Sequence, residues 1–72
     1  MRHEEFKELQ HRDRVMGRNQ YEGIHLEIHR PVYNSTGTLL GFDAFRLENG
    51  NLTSGKMMVQ TASPLALNLV RE

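Results

Sequence analysis

Hydrophobic residues in this chain begin with a helical period and then switch to a period of two. From His3 to Met16, Phe6, Leu9 and Met16 fall on one narrow stripe, with Asp13 interrupting it and Val15 at its edge. That spacing predicts a helix over 3–16, with Glu4 and Glu5 in the first turn, arginines in the last, and Gly17 as its stop. Gly23 to Arg30 then alternates strictly: Ile24, Leu26 and Ile28 against His25, Glu27 and His29. Such a period predicts a strand over 23–30 with one wet face, which ends or reaches an edge at Pro31, with Val32-Tyr33 as a weak continuation. The densest apolar run is Gly37–Leu47, bracketed by the turn signals Asn34–Gly37 and Glu48–Asn51. It predicts the central strand, over 38–48, with Leu40, Phe42 and Ala44 on one face and Leu39, Phe45 and Leu47 nearer the other.

Asn49-Gly50 is a hairpin signal, since both residues tolerate positive φ. A return strand is expected over 52–60, with Ser54-Gly55 marking a bulge or turn. Ser63-Pro64 breaks it, and Leu65, Leu67 and Leu69 alternate into a last strand over 65–70. The fold class expected is α+β, mostly β. An N-terminal helix precedes a small bent antiparallel sheet, or an SH3-like barrel, of four to five strands.

Length and charge narrow the function. With 72 residues the chain is one domain, 1–72, and it has no cysteine to brace a small core. Self-association into a homo-oligomer is therefore expected. Nine Lys+Arg balance nine Asp+Glu, so bulk charge points to no polyanion. Lysine is confined to Lys7 and Lys56, whereas Arg2, Arg12, Arg14 and Arg18 gather near the start. No run approaches the roughly 18 apolar residues that span a bilayer, and no signal-peptide core follows Met1, so a cytoplasmic protein with no membrane partner is expected.

The string Gly37-x-Leu39-x-x-Phe42-Asp43-x-Phe45 resembles the first motif of the Sm-like family, in its bacterial Hfq-type version. The resemblance covers about ten residues. It implies a ring of subunits whose fourth and fifth strands pair across the interface, and binding of single-stranded RNA. By matched position it implies that Phe45 stacks a base and that Asp43 is an acceptor holding the loop. Gly37, Leu39 and Phe42 serve the fold, and Arg12, Arg14 and Arg18 form a basic rim on the helix. The chain departs from the family where a Lys-His pair would hold uridine, since Gln60-Thr61-Ala62 stands near that position.

Other chemistry is sparse. His25, Glu27 and His29 on one strand face have the donor types of a zinc site, but an ordinary solvated strand has the same composition, and no metal or cofactor is assigned. Serines occur only at 35, 54 and 63, none in a nucleophile turn, and no phosphate loop precedes a helix. No enzyme activity is expected. The alternative function is a protein-interaction or regulatory module, of phage or plasmid type, that adds an exposed strand to a host protein. Neutral charge and scarce lysine favour that alternative.

Overall fold

A computed structural model describes residues 1–72. The elements run α1 (His3–Lys7), β1 (Arg14–Gly17), a 3₁₀ turn (Asn19–Tyr21), β2 (His25–Tyr33), β3 (Leu39–Glu48), β4 (Asn51–Gln60), α2 (Pro64–Leu67) and β5 (Leu69–Arg71). The strands form one antiparallel sheet in the order β4-β3-β2-β1-β5. The sheet is open: β4 and β5 are its edges and do not pair with each other. The protein is thus mostly β, with two short helices. No helix is long and apolar enough to cross a membrane.

The helix expected over 3–16 stops after five residues. Asp13 is the reason. Its Oδ2 accepts from the Gln10 amide at 2.8 Å, and its own amide donates to the Gln10 carbonyl, closing a turn that competes with the helix. Arg12 takes φ 74° in that turn. The chain leaves it extended: the Arg12 amide donates to the Ile28 carbonyl, and the Ile28 amide donates to the Asp13 carbonyl. Val15, at the margin of the helical stripe, becomes the fully buried residue of β1.

The last expected strand, 65–70, is also corrected. Ser63 Oγ accepts from the Ala66 amide at 3.2 Å and Pro64 occupies the first helical turn, so this stretch opens as α2. Only Leu69–Arg71 is strand. Ala66 and Leu69 reach the core, while Leu67 is exposed.

One core lies on one side of the sheet. Val15, Leu26, Ile28, Phe42, Ala44, Val59 and Leu69, drawn from all five strands, join Phe6, Leu9 and Ala66 in one cluster. Phe6 and Phe42 meet edge to face with centroids 5.2 Å apart. Two irregularities reset the strand alternation. Between β2 and β3 the register shifts at His29 and again at Leu40, each being the extra residue of its strand. Leu40, expected in the core with Phe42, is therefore exposed, and Leu39 packs against the core instead. On β4, Thr53–Gly55 bulge opposite Arg46, and Thr53 Oγ1 closes the bulge by donating to the Arg46 carbonyl at 2.9 Å. The β3–β4 turn places Asn49 (φ 52°) and Gly50 (φ 79°) in the left-handed region, as a tight hairpin requires.

Candidate functional site

The strand register sets two rows of side chains on the face away from the core. In the first, Arg14 of β1 faces Glu27 of β2, Glu27 faces Phe45 of β3, and Phe45 faces Lys56 of β4. In the second, Arg30, Asp43 and Met58 stand side by side. Residues directly opposite on antiparallel strands have Cβ atoms about 4.5–5.5 Å apart, and successive residues on one strand face are about 6.5–7 Å apart. Glu27 and Lys56 therefore flank Phe45 directly, Arg30, Asp43 and Met58 lie in the next row, and Arg14 stands one strand beyond Glu27.

Both carboxylates of the face are tied to cations. Arg14 Nε donates to Glu27 Oε1 at 3.3 Å, and Glu27 is the one buried charged residue of the chain, 8% exposed. Arg14 also donates through Nη1 to the Gly50 carbonyl at 3.4 Å, which links β1 to the β3–β4 turn. Asp43 Oδ2 receives Arg30 Nε at 3.3 Å and lies 3.5 Å from Lys56 Nζ. Arg30 and Lys56 remain largely exposed, with side chains 64% and 46% accessible. The face is thus a patch of paired charge around one aromatic ring, with three cations and two anions.

Phe45 itself is half-buried. The extra residue of β2, His29, turns its ring onto it at a T-shaped 5.2 Å, and His11 from the turn before β1 packs on His29 at 5.6 Å. His11 Nδ1 lies 2.7 Å from the His29 carbonyl oxygen, which fixes the turn against the bulge. The bulge thus redirects His29 to an aromatic contact.

Each expected site residue has a definite place. Phe45 and Arg14 lie on this face. Arg12 sits in the turn before β1 and Arg18 beyond its other end, so the helix-borne basic rim is not formed: the helix that was to carry it ends at Lys7. Gly37 takes φ 85° in the turn that Asn34 organises, its Oδ1 accepting from the Thr36 and Thr38 amides at 2.9 and 3.0 Å. Leu39 packs on the core and Phe42 lies within it at 2% exposure. Asp43 is an acceptor, but its partners are side chains of β2 and β4; no loop backbone is held by it.

His25, Glu27 and His29 go separate ways. His25 Nδ1 is 3.5 Å from Glu72 Oε2, Glu27 holds Arg14, and His29 meets Phe45. The bulge after Ile28 breaks the alternation that would have aligned them, and no group of three or more metal-ligating residues converges anywhere in the chain. Arg30, Lys56 and His11 join the face without any sequence signal, because only register across strands brings them there. Beside Arg14 an open polar cleft of about 630 Å³ runs under the β3–β4 turn, lined by His25, Arg46, Glu48 and Glu72 among others.

Compared with protein-family models, with curated proteins and with solved structures, the chain finds no match.

Proposed function

We propose that this chain is a non-enzymatic binding module of Sm-like type, built on an open five-stranded sheet, that assembles as a homo-oligomer and binds single-stranded RNA. The observation that carries the reading is the position of Phe45. It is a half-buried ring on the face opposite the core, with Lys56 beside it, Arg30 diagonal to it and Arg14 one strand farther out. A base stacked on an aromatic ring contributes about 1–3 kcal/mol, and exposed cations beside it can reach the adjoining phosphates. The oligomer has its own support. The strands that the resemblance pairs across subunits, the fourth and fifth, are the two edges left unpaired here. A chain that buries so small a core gains by covering them. Under this reading its place of action is the cytoplasm.

Light-scattering mass with and without a short uridine- or adenine-rich RNA tests the proposal. A ring of several subunits that gains the mass of the RNA supports it; a monomer that ignores RNA overturns it.

One observation favours a second reading, a module that binds a protein. Every carboxylate on the outer face already neutralises a cation, and β4 offers ten residues of free edge with exposed Leu52 and Met58. An extended peptide added to that edge needs no net positive charge. A peptide bound to a chain that stays monomeric and ignores RNA would select this reading.

A further inference from the structure

The residues around Phe45 carry information about which base the ring would receive. This inference rests on the RNA-binding reading and goes one step beyond it. A base stacked on a phenyl ring covers it and extends past its rim, so its hydrogen-bonding edge falls on the neighbour one strand repeat away, at about 6.5–7 Å. Two residues before Phe45 on the same face stands Asp43. Asp43 Oδ2 is taken up by Arg30 and Lys56, whereas Oδ1 makes no hydrogen bond. Nor is Oδ1 sealed from solvent, since no buried side-chain oxygen or nitrogen lacks a partner. The ring is thus bordered by one anchored carboxylate, 15% exposed, whose Oδ1 makes no hydrogen bond.

An ionised carboxylate only accepts hydrogen bonds. Uracil presents to such an edge one N–H between two carbonyl oxygens, and those oxygens repel the carboxylate. Guanine presents N1–H and the N2 amine side by side, and one carboxylate oxygen with two lone pairs accepts from both. Adenine and cytosine offer a single exocyclic amine. The two cations on Oδ2 hold the carboxylate in one orientation, and they stand where phosphates flank the base. We infer that Phe45 and Asp43 form a base-selective subsite that prefers guanine and disfavours uracil. Asp43 acts as the acceptor that reads the base, and Arg30 and Lys56 hold it in position.

Fluorescence anisotropy tests this with labelled RNA hexamers: all-adenosine, the same strand with one central guanosine, the same with inosine there, and all-uridine. The guanosine strand is expected to bind about tenfold more tightly than the uridine strand, with inosine, which lacks the N2 amine, falling between. Asp43→Asn should remove the guanosine preference yet bind the uridine strand as well as or better than the native chain, because Arg30 and Lys56 lose their counter-charge. A residue of merely structural role would weaken all four strands together, and circular dichroism of the variant separates loss of fold from loss of selectivity. Equal binding of guanosine and uridine strands by the native chain overturns the subsite and leaves the RNA-binding reading standing. So does an Asp43→Asn variant that keeps the preference. Failure of all four strands to bind overturns both.

Discussion

Phe42 and Phe45 lie three residues apart on β3, and they face opposite sides of the sheet. Phe42 is 2% exposed, stands opposite Val59, and meets the ring of Phe6 edge to face. Phe45 is half-buried between a carboxylate and an ammonium, its ring touched by a histidine. The inner face holds the apolar core at its centre, with Arg46 and Arg71 only at its exposed margin, whereas the outer face binds its charges in pairs around one ring. One strand therefore supplies stability on one side and, under the proposed function, recognition chemistry on the other. Composition does not distinguish the two phenylalanines; parity along β3 does.

Substitutions can break this contrast, and their expected effects run from the inner face outward. Phe42→Ala opens a cavity against Phe6 and Val59 and should cost about 3–5 kcal/mol, enough to leave much of so small a domain unfolded. Urea denaturation followed by far-ultraviolet circular dichroism measures it. If Phe42→Ala costs no more than Phe45→Ala, the division into faces is wrong. Gly41→Ala comes next, at about 3 kcal/mol, because its Cβ would collide with the Val59 carbonyl on β4. The midpoint of thermal unfolding should fall accordingly, whereas a neutral Gly41→Ala would mean that β4 lies farther from β3. On the outer face, Glu27→Ala removes a buried carboxylate from its partner Arg14, whose side chain is 44% exposed, with an expected cost of about 1 to 2 kcal/mol that shrinks at high salt. Ser63→Ala is the mildest, about 1 kcal/mol, since it removes only the cap of α2. It should leave RNA binding unchanged, and a titration of the capped and uncapped chains would expose any coupling.

How much of this was legible from residues alone depended on whether the signal was local. The β3–β4 hairpin was legible because Asn49-Gly50 carries its own turn chemistry. The core of β2 was legible because Leu26 and Ile28 keep a strict period of two. The burial of Phe42 was expected through the motif, since alternation left β3 apolar on both faces. The start of the chain was not legible, because Phe6 and Leu9 satisfy a helical stripe equally well whether α1 runs for one turn or four. What ends it is the Asp13 carboxylate capturing the Gln10 amide, a choice between two local hydrogen bonds that periodicity does not see. Leu65 to Leu69 misled in the opposite direction, since a Ser-Pro cap overrode an alternating pattern. The outer face was half legible. Phe45 and Asp43 stood out through their motif, but Arg30, Lys56 and His29 arrive by register and by a bulge, neither of which leaves a mark in one strand's sequence.

The central claim is that the half-buried ring of Phe45 is a binding surface and the buried ring of Phe42 is a structural one. It is tested most directly by titrating a labelled single-stranded RNA hexamer with the native chain and with Phe45→Ala, while circular dichroism follows the fold of both. The account predicts saturable binding by the native chain and a loss of about tenfold or more in Phe45→Ala, with the β signature unchanged. Equal affinity of the two chains, or collapse of the fold in Phe45→Ala, would contradict it.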